Sequence, residues 1–122
     1  MTTPQRPRRE RAELALTATF AWREAPTDLF SPALRLQVER ILNGIDEVEA
    51  ALSGLRSRDP SVGAMSAEQR VRNGLTTLDQ SLLASRTVAG SQMLLIYSVE
   101  KAFRATDAYI QDVKQSLDQM HP

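Results

Sequence analysis

From Leu34 onward, apolar residues fall at Leu34, Val38, Ile41, Ile45, Val48, Leu52 and Leu55, in alternating steps of four and three. That spacing keeps one stripe of a helix apolar over three heptads, and Leu42 widens the stripe. Ser31 followed by Pro32 marks where this helix starts. The Ser side chain can accept from an orphan N–H, and Pro suits the first helical position because no donor is needed there. The pattern predicts a helix over about 32–57. Gly44 and Gly54 each cost about 1 kcal/mol against Ala in a helix interior, so the stripe must be packed to hold.

A second stripe begins at Val71, Leu75, Leu78 and Leu82, after Arg58-Asp59-Pro60-Ser61-Val62-Gly63 breaks the first. Ser66-Ala67-Glu68-Gln69 reads as a capping box, with Ser at the cap and Gln three residues on. Further apolar residues at Ile96, Val99, Phe103, Ile110, Val113, Leu117 and Met120 share its frame. Steps of seven from Val71 and from Leu75 run to Met120 and Leu117 without a slip. The middle of the frame, Ser85 to Gln92, is small or polar. Two structures fit: one helix from about Ala67 to Met120, near 80 Å at about 1.5 Å per residue, or two helices, about 67–88 and 91–120, with a hinge near Gly90-Ser91. The hinge is favoured, because Thr87, Val88 and Gly90 are weak helix formers.

Ahead of these seams, Leu14 to Ala25 predicts a short helix, about 12–25, with Leu16, Phe20 and Trp22 on its apolar side; Pro26-Thr27-Asp28 reads as a turn. Residues 1–11 carry Pro4, Pro7 and four arginines, and predict a disordered basic arm. Alternation of the strand kind never lasts, so the expected fold is all-α. It comprises two or three long helices, as a hairpin or as extended helices, in a single helical domain over 12–122 behind the arm. Three Phe, two Tyr and one Trp leave most of the packing to aliphatic seams.

Charge narrows the function. Fifteen basic residues balance fifteen acidic ones, which argues against nucleic-acid or membrane binding by bulk charge. The absence of Cys excludes disulfides and thiolate metal sites. The longest apolar run, Met93 to Tyr97, is far short of the ~20 residues that span a bilayer, and no apolar signal core follows the basic start. The single His, His121, sits at the chain end, where a catalytic triad is not built. No Glu-x-x-His pair, Gly-rich phosphate loop or Ser-His-Asp set occurs, so no enzyme, cofactor or metal is expected. Asp46, Glu47 and Glu49 flank Val48 and read as a solvated face. Arg6, Arg8, Arg9 and Arg11 could touch phosphate, but no aromatic alternates with them to stack bases. Trp22, Phe20 and Phe30 fit a partner-docking patch and a local cap over the helix ends equally well.

Met93-Leu94-Leu95-Ile96-Tyr97 would be apolar all round in a helix, and such a helix must be surrounded. The segment Gln92 to Glu100, continuing to Leu117-Asp118-Gln119-Met120, resembles the C-terminal helix of inner-rod proteins of bacterial type III secretion systems. It is also similar to needle subunits, with which Asp59-Pro60 and Ile96-Tyr97 compare, and to the basal adaptor of the flagellar rod. The wide separation of Asp59-Pro60 from Ile96-Tyr97 favours rod over needle. The resemblance implies a structural, self-assembling subunit, made in the bacterial cytoplasm and exported into the cell-envelope apparatus. Its partners would be other copies of itself, the export apparatus and needle subunits. It further implies an assembly interface on the C-terminal helix, at Leu94, Leu95, Ile96, Tyr97, Val99, Phe103, Ile110, Val113, Leu117 and Met120. The alternative is a small helical chaperone or adaptor of a secretion or flagellar system, taking a partner helix along the Leu34–Leu55 seam.

Overall fold

The computed structural model describes residues 8–57, 64–94 and 96–120, with side chains for 13–54, 68–90 and 96–119. Among the described residues four α-helices follow in chain order, α1 (Arg8–Glu24), α2 (Pro32–Ser57), α3 (Ala64–Leu94) and α4 (Tyr97–Met120), with a 3-10 turn, Thr27–Leu29, between the first two. Among the described residues there is no strand. The all-α expectation holds, while two or three long helices is one too few. Leu14 to Ala25 belongs to a full helix that packs like the others.

Helix starts differ in how well local chemistry marks them. At α2 the Leu34 N–H donates to Ser31 Oγ at 3.2 Å, and the Arg35 N–H donates to the Ser31 carbonyl at 2.9 Å. Ser31 is therefore the cap that Ser-Pro announces. By contrast, α1 begins at Arg8, inside the arm expected to be disordered. Arg, Glu, Ala and Leu are strong helix formers, and residues 8–14 consist of them alone. Likewise α3 begins at Ala64, ahead of Ser66. Ala and Met extend a helix readily, so Ser66 falls inside the first turn rather than at its cap. Residues 1–7 of the arm, the 58–63 break and His121 lie outside the described residues.

The seam on α2 is buried from Leu34 through Val38, Ile41, Ile45 and Val48 to Leu52, and faces Val71, Leu75, Leu78 and Leu82 of α3. Leu55 lies outside the described side chains. Two contacts fix the register of this pair. A Cβ added at Gly44 would stand 2.8 Å from Leu78 Cδ2, and one added at Gly74 would stand 2.7 Å from Val48 Cγ2. Four residues forward on α2 thus match four residues back on α3, an antiparallel hairpin in which each helix lays a large side chain over the other's glycine. Gly44 is accordingly more than a weak point in a helix. It is half of a close approach.

α1 packs mainly on α4, and α4 also on α3. Asp79 pairs with Lys114, and Arg86 covers Phe103, so α3 and α4 run antiparallel. Within α3, Gly90 stands at φ 73° and ψ 166° and kinks the helix ahead of its last turn. That combination of positive φ and extended ψ is open essentially to glycine alone and costs another residue about 1–3 kcal/mol. The Val99 and Glu100 N–H groups both donate to the Ile96 carbonyl at 3.0 Å and open α4. Met93 and Leu94 close α3 and Tyr97 opens α4, so the apolar run is divided between two helices. Tyr97 is 76% exposed and Ile96 half-buried.

Candidate interaction surface

Where the four helices meet, α4 contributes Val99, Ala102, Phe103, Thr106, Tyr109, Ile110, Val113 and Leu117, all buried. At their centre Trp22 of α1 meets Phe103 edge to face, with ring centroids 5.1 Å apart and planes at 80°. The Arg86 guanidinium lies 4.8 Å above the Phe103 ring centroid. The Trp22 indole N–H donates to Thr106 Oγ1 at 2.7 Å, and the Thr106 hydroxyl donates to the Ala102 carbonyl at 2.8 Å. Ser85, another polar residue of the shared frame, donates to the Ser81 carbonyl at 2.7 Å. Both buried hydroxyls are therefore satisfied, as the cost of an unpaired buried polar group requires. The Tyr109 hydroxyl reaches across to Glu49 of α2 at 2.7 Å.

This geometry bears on the residues expected to form an assembly interface. Val99, Phe103, Ile110, Val113 and Leu117 lie in the core of the folded chain, at most 1% exposed. Their apolar faces are covered by α1 and α3 in the folded chain. Ile96 packs partly on the same core, and Tyr97 alone among the described ones stands free of it. The side chains of Leu94, Leu95 and Met120 lie outside the description. The α2 seam of the adaptor reading is likewise covered, by α3.

The exposed apolar residues lie elsewhere. On α1 the buried stripe is Ala15, Ala18, Ala21 and Trp22, continued by Ala25 just past its end, and the residues expected to face inward, Leu16 and Phe20, are 56% and 57% exposed. Small side chains let α1 lie close on α4 and deliver Trp22 to Phe103, so the helix turns its larger aliphatic side outward. Leu16 and Phe20, one turn apart, line an open groove of about 450 Å³ with Glu13, Thr17, Ala21, Glu24 and, from α4, Lys101. Of the aromatic trio, Trp22 and Phe30 are core and Phe20 is surface.

Sequence reasoning missed this outward face because it ranked side chains by hydrophobicity. The alanines spaced three and four apart with Trp22 were the available signal. Among the described residues no group of three His, Cys, Asp or Glu side chains is placed to hold a metal ion, and no helix is long and apolar enough to cross a membrane. No known protein family, curated protein or solved structure matches the chain.

Proposed function

We propose that this chain is a non-catalytic, self-assembling helical subunit, and that its setting is the inner rod of a bacterial type III secretion apparatus. The observation that carries the self-assembly is the outward apolar face of α1. Leu16 and Phe20 project from a helix whose opposite side is already packed, so the face is additional to the fold. Charge favours a second copy as its occupant. The formal net charge is zero, so copies gain no mutual repulsion to keep them apart. The groove itself carries Glu13 and Glu24 against Lys101, charges of both signs that a like copy can meet. The rod setting rests on the C-terminal resemblance alone. With it come export from the cytoplasm and contacts to the export apparatus and needle subunits.

Sedimentation of the purified chain over a range of concentrations tests the reading. Wild type is expected to grow in size with concentration. Leu16→Glu combined with Phe20→Glu is expected to stay monomeric with unchanged helicity, since substitutions at exposed positions usually shift stability by only about 0.5 kcal/mol. A wild-type chain that remains a compact monomer at every concentration refutes self-assembly. A double variant that assembles like wild type refutes the α1 face.

A further inference from the structure

The outward stripe of α1 carries opposite charges on either side of its apolar middle. Leu16 and Phe20 stand one turn apart at that middle. Glu13 lies three residues before Leu16, and Arg23 three residues after Phe20. Spacings of three and four hold all four residues on one side of the helix, and all four are exposed. From Glu13 to Arg23 the stripe is about 15 Å long at about 1.5 Å per residue.

That order decides how a second copy can lie against it. A parallel partner sets Glu13 on Glu13 and Arg23 on Arg23, like charge on like. An antiparallel partner, related by a two-fold axis between Leu16 and Phe20, sets each Leu16 on the partner's Phe20 and each Glu13 on the partner's Arg23. Complementary charge of this kind fixes orientation and register. A shift of one turn either way parts Glu13 from the partner's Arg23, and in one direction it brings Leu16 against the partner's Glu24. In the matching register Glu24 stands opposite position 12, which carries no charge. Glu13 already has a contact within its own chain. A carboxylate offers about four lone-pair sites, so the partner's guanidinium can share it.

We infer that the α1 groove is filled by α1 of a second copy, antiparallel about a two-fold axis that passes between Leu16 and Phe20. This pairing rests on the reading above that copies meet through the α1 face, and it names the segment that occupies the face. Both copies use the same patch, so the contact is isologous and closes as a pair. Two apolar side chains from each copy make a small contact, at the transient end of interface sizes. Any longer assembly is then built from pairs, through a second surface.

Charge reversal tests orientation and partner together. Glu13→Arg sets Arg against the partner's Arg23 twice in each pair, and Arg23→Glu sets Glu against the partner's Glu13 twice. Each variant alone is expected to dimerise about tenfold more weakly than wild type at low salt, with a difference that shrinks as salt rises. Mixed in equal amounts, the two variants should dimerise as well as wild type, because both facing pairs are then opposite in sign. The chain carrying both substitutions should do the same. Sedimentation equilibrium gives the constants, and helicity should be unchanged throughout, since both positions are exposed. Single variants that dimerise like wild type overturn the antiparallel pair, because a parallel contact faces like charges in wild type and in each variant. A mixture or a double variant no better than the singles overturns it too, because another part of the chain then fills the groove. Under both results wild type still assembles, so the self-assembly reading stands while the α1 pair falls. A wild-type chain that stays monomeric removes both.

Discussion

Replacing Gly74 with Ala sets two effects of known size against each other. Ala is better than Gly in a helix interior by about 1 kcal/mol. Against this, the new methyl would lie 2.7 Å from Val48 Cγ2, well inside contact distance. Val48 is fully buried, and a β-branched side chain in a helix has one strongly preferred rotamer, so it cannot swing aside. Overpacking of this kind costs about 1–3 kcal/mol. The net expectation is a loss of roughly 1 kcal/mol, or a fall in Tm on the order of 4 °C for a domain of this size. Gly54→Ala supplies the control on α2. Its Cβ meets nothing within 4 Å, so it should stabilise by up to about 1 kcal/mol. Two identical substitutions in one hairpin are thus expected to differ in sign. Adding Val48→Ala to Gly74→Ala should recover part of the combined loss, with a favourable coupling of about 1 kcal/mol, because the added methyl occupies space that Val48 vacates. Urea denaturation followed by far-UV circular dichroism measures Gly54→Ala, Gly74→Ala, Val48→Ala and the double variant. If Gly74→Ala stabilises as much as Gly54→Ala, the two helices do not approach as closely as described, and the register drawn from Gly44 and Gly74 falls with them.

Other substitutions probe the centre of the core. Thr106→Val keeps the shape but removes the acceptor for the Trp22 N–H, and should cost about 1–3 kcal/mol in urea denaturation, with Thr106→Ser retaining most of the stability. Phe103→Ala should cost about 3–5 kcal/mol and release Trp22 from its edge-to-face contact, seen as a changed tryptophan emission. Removing Arg86 from above the ring should cost only about 0.5–1 kcal/mol, as such contacts do at exposed sites. Lys114→Ala should change stability by less than about 1 kcal/mol, since both partners of the Asp79 pair are about two-fifths exposed; a loss above ~2 kcal/mol would mean the pair holds α4 in place.

Those contacts show where a heptad pattern stops being informative. The α2 and α3 seams were legible because every core position is a large aliphatic, and alternating four-three spacing leaves one face to bury. Thr106 and Ser85 were legible only as polar gaps in a frame; that Trp22 would supply a donor to Thr106 from more than eighty residues away is a property of packing. On α1, Trp22 faces inward as read, while Leu16 and Phe20 face outward. Leu16 and Phe20 outrank Ala18 and Ala21 in hydrophobicity, yet close approach to α4 rewards small side chains, and the larger ones were turned to solvent. Gly74 carried no sequence mark apart from its cost in a helix. Its use depends on which residue of α2 lies opposite, and that register is set by the tertiary fold. The expected assembly interface was legible as a seam. Its partner, the chain's own α1 and α3, was not.

Contact through Leu16 and Phe20 joins subunits that are already folded, since both side chains stand outside the core at 56% and 57% exposure. It needs no internal rearrangement, and should form and reverse quickly on dilution. Its rate should also be indifferent to Phe103→Ala, because Phe103 is 1% exposed and lies in a core that such contact leaves closed. Assemblies separated by size exclusion and followed after dilution give this rate. Slow dissociation that rises about 3–6-fold per 10 °C, as unfolding does, and that Phe103→Ala accelerates would mean that the core has to open, and would remove the α1 face from the account.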